Sequence, residues 1–383
     1  MAQYCRSAAT TFGLLFLPRS VMKGLPRLTR CFVGLTTRRA QRWFLLSPEC
    51  RQVEKLENLT FDFKHAFIAN SDSCWDAWSK LARPEIRSFG SATQRRTPKI
   101  QKESARIEQD STGPHWLDLL SNEVMDLIIE FLIPEKYDAI ALALSSESLW
   151  QLVLRQIHWE NLKYAAPWAG KKLAFQGSYS VDSPPSFYED GLEYEILDPF
   201  QHSDGGIRNN GQLFFDKHEE FESPATIKDQ KAEWEKAMVA YLPGSGIPEA
   251  CHERLRKEVR GPDLFPRDIP WLLRNLTTRE VVSADDLADP KSQSSESMSR
   301  VLTLDQILLM RICWTDLWDE ERVANLNINR GIWAGHKFDI VPKHIHEVEI
   351  NLQDWRDVTK EVALEAGTLR EKIGELPPPV WQA

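Results

Sequence analysis

The chain has 383 residues, and 42% of them are hydrophobic, so it is long and apolar enough for two or three domains with buried cores. Its formal net charge of −9 at pH 7 argues against a nucleic-acid-binding protein that depends on overall basic charge. No apolar run reaches the roughly 18 residues that a membrane-spanning helix requires. We therefore expect neither nucleic acid nor a membrane among its partners.

The cysteines are scattered along the chain and form no C-x-x-C pair. The six are Cys5, Cys31, Cys50, Cys74, Cys251 and Cys313. Isolated cysteines are typical of proteins in a reducing compartment, where thiols stay free. We expect an intracellular protein that lies in the cytoplasm, in the nucleus or in both.

The N-terminal segment differs in composition from the rest of the chain. Residues 1–48 contain eight Arg and Lys and no Asp or Glu, which is typical of a mitochondrial presequence. The same composition fits a disordered basic segment or an upstream extension of the gene model. We predict that residues 1–50 are a basic, disordered extension. Residues 51–113 are predicted to be a weakly structured segment and linker, because residues 91–113 are polar and rich in charge.

Three short amphipathic helices are predicted within residues 116–157. In the first, the apolar positions follow i, i+3, i+4, i+7, i+8 spacing, which makes one helical stripe. They are Val124, Leu127, Ile128, Phe131 and Leu132. A unit of about 40 residues buries too little surface to stand alone. Its apolar surface therefore predicts docking, either onto the rest of this chain or onto another protein.

This helical segment resembles an F-box. The family pattern is a Leu-Pro-x-Glu opening, a helix that ends in an aromatic residue and Leu, and a Ser/Cys-Lys-x-hydrophobic segment before a third helix. Here the opening is Leu-Ser-Asn-Glu at residues 120–123, the helix ends at Phe131-Leu132, and the later segment is residues 144–150. Ser121 stands where the family has proline. Serine caps helix N-termini through its side-chain oxygen, whereas proline suits the first helical turn.

The resemblance implies a substrate-recognition subunit of a cullin-based ubiquitin ligase. The F-box-like unit, residues 114–158, would bind a Skp-type adaptor, and residues 159–383 would form an α+β domain that binds a protein substrate. The adaptor-contacting residues that the pattern implies are Leu119, Leu120, Glu123, Val124, Leu127, Ile128, Phe131, Leu132, Leu144, Leu149 and Trp150. Ubiquitin transfer would take place on other subunits, so we expect no catalytic, cofactor-binding or metal-binding residues in this chain.

Two other interpretations remain open. In the first, the chain is a mitochondrial protein of unrecognised activity, and the helices within residues 116–157 are internal packing. In the second, it is a binding module outside any ligase, which the departure at Ser121 allows.

The C-terminal region carries mixed helix and strand signals. Residues 167–175 and 332–340 both contain Trp-Ala-Gly followed by alternating apolar residues, which predicts two strands that could pair in one sheet. The apolar run at residues 307–314 predicts a buried strand. Helices are predicted after Ser223-Pro224, after Pro248 and from residue 352 to residue 369.

Two groups of chemically reactive side chains are candidates for a metal site or a catalytic site. In an extended segment, His344 and His346 would place two imidazoles on one face, but Glu347 and Glu349 would lie on the other, so we predict solvated histidines rather than metal ligands. The run from Cys251 to Glu253 joins three reactive residue types. Adjacent residues of a helix point in different directions, so this run does not predict a Cys–His catalytic pair.

Overall fold

The structure is a computed structural model, and it describes residues 43–55, 77–85, 120–177, 180, 183–187, 221–266, 268–287, 302–315, 329–350 and 354–374. The fold is α+β, as the sequence predicted. Leu119, most of the predicted extension and most of the predicted linker lie outside the described residues. Among the helices that are described, none combines the length and the apolar character needed to cross a membrane.

Strands and helices alternate irregularly along the described chain. The strands are β1 (Trp43–Ser47), β2 (Gln52–Lys55), β3 (Lys171–Lys172), β4 (Ala174–Gly177), β5 (Trp271–Asn275), β6 (Glu280–Ser283), β7 (Cys313–Trp314), β8 (Lys337–Pro342) and β9 (Arg356–Asp357). The helices are α1 (Ala77–Leu81), α2 (Asn122–Leu132), α3 (Lys136–Leu144), α4 (Glu147–Leu162), α5 (Ile227–Tyr241), α6 (Glu249–Arg260), α7 (Leu304–Ile312), α8 (Lys343–Glu349) and α9 (Thr359–Gly374).

The strands form two sheets with the orders β2-β1-β4-β7 and β3-β8-β5-β6-β9. Each sheet is built on an antiparallel hairpin, β1–β2 or β5–β6. The first strand of each hairpin also pairs, antiparallel, with a strand that comes much later in the chain, β4 or β8. The sheets therefore bring segments together that are far apart in sequence.

The first hairpin corrects the predicted N-terminal boundary. All five residues of β1 are buried, and the Trp43 ring stacks on Phe175 of β4 with a centroid distance of 4.7 Å. Residues 43–50 therefore belong to the folded core and not to a disordered extension. The prediction was wrong here because the acid-free composition continues through residue 48 and obscures the apolar run that forms β1.

The two hairpins are built alike. Each first strand begins with a tryptophan, Trp43 or Trp271, and each second strand is entered through an arginine in the left-handed backbone region. The φ values of these arginines are 51° for Arg51 and 58° for Arg279. The second strand of each hairpin also has a parallel neighbour on its outer edge. This neighbour is the bridging residue Glu222 for β2 and the strand β9 for β6. The described chain thus contains two halves with one common arrangement.

The Trp-Ala-Gly segments occupy equivalent places in the two halves. Each glycine has a positive φ, 74° at Gly170 and 78° at Gly335, which favours a residue without a Cβ. The N–H of Gly170 donates to the carbonyl of Phe338, and the N–H of Gly335 donates to the carbonyl of Leu173, both at 2.7 Å. Lys171 and Lys172 of β3 pair with β8, but Phe175 lies in β4 of the other sheet. The prediction that the two alternating apolar stretches pair in one sheet was therefore wrong, because the first stretch passes from the second sheet to the first after Lys172.

The two tryptophans of these segments also have equivalent surroundings. The backbone N–H of Trp168 donates to the carbonyl of Lys80 at 3.0 Å, and that of Trp333 donates to the carbonyl of Arg311 at 2.8 Å. The cationic group of the same lysine or arginine lies over the indole ring, 5.8 Å and 4.8 Å from the respective centroids. Each indole Nε1–H donates at 2.7 Å to a side-chain oxygen on the hairpin of its own half.

The two halves exchange chain segments. Ala82, which follows α1 of the first half, bridges Ile340 in the second sheet. Cys313, which follows α7 of the second half, pairs with Phe175 in the first sheet. The halves are therefore intertwined, and their buried side chains form one shared hydrophobic core.

The run at residues 307–314 forms the end of α7 and the short strand β7, so the prediction of a strand along its whole length was wrong. Thr303 and Gln306 form a capping box, in which each side chain accepts a hydrogen bond from the other's backbone N–H. Nearly every residue of α7 is buried, so the sequence has no polar face to reveal a helical period.

The remaining helices form a second core. Helices α2, α3 and α4 lie within residues 83–167, which interrupt the first half between α1 and Trp168. Helices α3 and α4 pack on α5 and α6, which connect the two halves, and α2 packs on α3 and α4. The large aliphatic side chains that are almost fully buried in this core are Ile129, Ile140, Val153, Ile157, Met238 and Val259. The F-box-like helices are thus supported by helices from later in the chain, and the body that they form together is called the helical body below.

Candidate docking surface

Helix α2 begins at the position that the sequence predicted, with Ser121 as the N-cap residue in an extended conformation. The Ser121 side chain makes no capping hydrogen bond to the helix backbone, so its predicted role as a side-chain cap was wrong. Hydrogen bonds from the backbone N–H of Glu123 and from the Ser121 hydroxyl instead lower the pKa of the Glu123 carboxyl. Glu123 therefore stays ionised at the start of α2, where a negative charge is favourable.

The outer face of α2 is apolar and exposed to solvent. Val124, Leu127 and Phe131 are 42%, 66% and 82% exposed. Met125 and Ile129 point the other way and are buried in the helical body. Three large hydrophobic side chains at i, i+3, i+7 spacing thus form one exposed stripe, which we call the α2 face. The α2 face is therefore a candidate docking surface.

The other residues implied by the F-box pattern divide into two groups. Glu123 is exposed, and the half-buried side chains are those of Leu120, Ile128, Leu132 and Leu144. Leu149 and Trp150 are only 3% and 6% exposed, so assigning them to direct adaptor contact was wrong for this structure. The cause is the helical body, because α5 and α6 cover the side of α4 that the pattern alone leaves open.

Helix α4 fixes α2 in place. Its N-cap residue, Ser146, accepts a hydrogen bond from the N–H of Leu149 at 3.2 Å. Farther along, Arg155 forms an ion pair with Asp126 of α2 at 2.6 Å. Both side chains of that ion pair are about half exposed, so the pair adds little to the free energy of unfolding and mainly orients α2.

The C-terminal end of α6 anchors α4 through a residue that sequence analysis missed. The Trp150 indole donates to the carboxylate of Glu258 at 2.7 Å, and the His158 ring contacts the Glu258 carbonyl at 3.1 Å. Burial of His158 lowers its pKa, which favours the neutral ring that donates to this carbonyl. Glu258 lies about a hundred residues from both partners, and no local pattern in the sequence indicates such a contact.

Acidic groups lie along one side of the α2 face. Helix α2 carries Glu123, Asp126 and Glu130 and contains no lysine or arginine. Glu135 and Asp138, at the start of the next helix, are also exposed. Within the described part of the chain, only Asp126 of these five has a lysine or arginine at ion-pair distance. The α2 face is therefore apolar with an acidic border.

The histidine pair does not form a metal site. Residues 343–349 form helix α8 rather than an extended segment, so His344 and His346 do not share a strand face. The Nε2 atom of His344 lies 2.6 Å from a carboxylate oxygen of Glu85. His346 is 6% exposed and contacts the Trp355 ring edge-on, so the prediction of a solvated side chain was wrong for this residue. Across the described residues, no cluster of three or more potential metal ligands occurs.

The Cys251–Glu253 run does not bring a thiol and an imidazole together either. Cys251 packs against the helical body, and the His252 ring contacts the carbonyl of Ile247 at 3.0 Å. The two side chains thus make separate contacts, as the helical spacing predicted.

A buried cluster of charges distinguishes the second half from the first. Arg274 donates two hydrogen bonds to Asp339, at 2.7 and 2.5 Å, and a third to Glu349 at 2.7 Å. Glu349 also accepts from Arg83 at 2.8 Å. The acceptors of this cluster are occupied by the two arginines, so it fastens α8 to the second sheet and does not form an open binding site.

Comparisons with protein-family models, with curated proteins and with solved structures found no match to this chain.

Proposed function

We propose that this chain is an F-box-type substrate receptor, which binds a Skp-type adaptor through the α2 face and thereby joins a cullin-based ubiquitin ligase. The observation that carries the proposal is the exposure of Val124, Leu127 and Phe131 on the helix that matches the F-box pattern. A helix that served only as internal packing would bury this stripe. The exposed stripe therefore favours a binding role over the reading in which the helices are internal packing.

In this proposal, the intertwined α+β domain contacts the protein substrate and other subunits carry out ubiquitin transfer. The helical body would hold the α2 face in position relative to that domain. Within the body, Glu258 of α6 anchors α4. The chain segment that contains α2 to α4 begins and ends at β8, through the N–H groups of Arg83 and Gly170. Ligase assembly of this kind would take place in the cytoplasm or the nucleus.

Adaptor binding by purified proteins tests the proposal directly. We expect the full chain to bind a Skp-type adaptor in calorimetry. Leu127→Asp and Phe131→Asp should each weaken binding by about 100-fold, because a carboxylate would be buried against an apolar partner. Leu364→Asp is the matched control, since Leu364 is 74% exposed on α9, away from the F-box-like unit. Its affinity should equal that of the unmodified chain.

Two outcomes would refute the proposal. One is the absence of adaptor binding by the unmodified chain. The other is equal weakening by Leu127→Asp and Leu364→Asp, which would indicate a general effect of added charge. Far-UV circular dichroism of each variant tests whether the fold is intact, and we expect unchanged spectra because the substituted positions are exposed.

A further inference from the structure

The acidic border of the α2 face carries information about the partner. On a helix, residues three and four apart are neighbours, so Glu123 and Glu130 both lie next to Leu127. Leu127 is 66% exposed and is the central residue of the stripe. A partner that covers Leu127 therefore approaches two carboxylates on the same side of the helix.

Neither of these carboxylates forms a close ion pair within the described residues. Arg155 of α4 is paired with Asp126 at 2.6 Å. Lys163, at the end of α4, donates to Glu160 at 2.6 Å and interacts with Glu130 only at longer range. In the described ranges, no lysine or arginine lies within ion-pair distance of Glu123 or Glu130. The charge of the border is therefore available to a partner.

We infer that the partner surface that covers the α2 face is an apolar groove whose edge carries lysine or arginine side chains. This inference rests on the proposed function and adds the charge of the partner to it. An uncharged or acidic edge would leave Glu123 and Glu130 desolvated without compensation, which disfavours the complex. A basic edge attracts the α2 face during encounter and raises the association rate.

Association kinetics separate the charge contribution from the apolar one. The probe is a Skp-type adaptor immobilised on a biosensor, with the full chain as analyte over a range of NaCl concentrations. In the double variant Glu123→Gln/Glu130→Gln, we expect the association rate at low salt to fall by about three- to ten-fold. The difference should vanish near 0.5 M NaCl, where the Debye length is only about 4 Å.

A control variant matches the change in net charge. Glu249→Gln/Glu253→Gln alters two exposed carboxylates four residues apart on α6 and should leave the association rate unchanged. An equal slowing by both double variants would overturn the inference, because it would indicate overall charge rather than the border of the α2 face. A double variant at Glu123 and Glu130 that associates as fast as the unmodified chain at every salt concentration would overturn it too.

The two proposals fail in different ways. If Leu127→Asp abolishes adaptor binding while the glutamine variants have no kinetic effect, the basic edge is wrong and the F-box function stands. If the unmodified chain does not bind the adaptor at all, the F-box function is wrong and this inference falls with it.

Discussion

Replacing Trp333 with alanine should destabilise the protein by about 4–5 kcal/mol. The side chain is 1% exposed, and truncation of a buried tryptophan to alanine costs about 3–5 kcal/mol. The upper end applies here because the substitution also removes two polar contacts. The indole donates to the Glu280 carboxylate at 2.7 Å, and the Arg311 guanidinium lies 4.8 Å from the ring centroid.

Urea unfolding followed by far-UV circular dichroism measures this loss. Trp168→Ala should cost about as much, roughly 3–5 kcal/mol, because Trp168 is fully buried and occupies the equivalent place in the first half. Trp159→Ala is the control of the same residue type, and it should cost less than about 1 kcal/mol, since Trp159 is 52% exposed. If Trp333→Ala costs no more than Trp159→Ala, the assignment of Trp333 to the shared core is refuted.

Three further predictions concern the supports of the fold. Burial lowers the pKa of His158, so the folded protein binds a proton at this ring less readily than the unfolded chain does. The contribution of His158 to stability is therefore complete above the ordinary pKa of 6.5 and is lost as the pH falls toward the pKa of the folded state. His158→Gln should reduce this loss in unfolding experiments between pH 7 and pH 5. Arg274→Leu should cost about 3 kcal/mol because the buried Asp339 carboxylate then keeps only its longer contact with Arg83 at 3.4 Å. Adding Asp339→Ala gives the pair Leu and Ala that the first half has at Leu46 and Ala174, and it should recover most of that loss in the same assay. Gly170→Ala should cost about 1–2 kcal/mol for its positive φ, whereas Gly335→Ala should lower the melting temperature further, because its Cβ would lie 2.0 Å from Ser186 Oγ.

The prediction of three helices within residues 116–157 is confirmed, but the sequence could not orient them. Apolar side chains occupy most of the circumference of α2, so both the stripe at Val124, Leu127 and Phe131 and the pair Met125 and Ile129 could have faced the core. The choice depends on the packing of α2 against α3 and α4, which places Ile129 in the core of the helical body. The periodicity of α2 alone does not indicate which of its apolar sides these helices cover.

The failure at α7 has a physical cause. Helix α7 is buried on nearly all sides, so its apolar run has the pattern that a buried strand would have.

The spacing of His344 and His346 does not distinguish a strand from a helix. The chain turns into α8 directly after Pro342, and a proline before a helix is compatible with both conformations. Glu349, at the end of α8, forms its ion pairs with Arg83 and Arg274, which are far away in the sequence.

The repeated architecture was visible only where it is most constrained. Both segments contain Trp-Ala-Gly because the turn requires a positive φ at its glycine and the buried position before it is filled by an indole ring. The hairpins repeat their backbone with few shared residues, since strand pairing is carried by main-chain hydrogen bonds. Gln52 and Glu280 accept equivalent indole hydrogen bonds although the two residues differ in charge.

The position of the α2 face follows from how the two halves are connected. In the first half, the chain leaves α1, contacts Ile340 through the N–H of Arg83, and returns to the same strand at Phe338 through the N–H of Gly170. The ends of residues 84–169 thus lie on neighbouring residues of β8, which is the geometry in which a scaffold accepts an inserted unit. In the second half, the equivalent connection runs from β7, which follows α7, to Trp333. It consists only of residues 315–332 and is much shorter. The exposed stripe is therefore carried by a segment that is inserted in the first half and has a much shorter counterpart in the second.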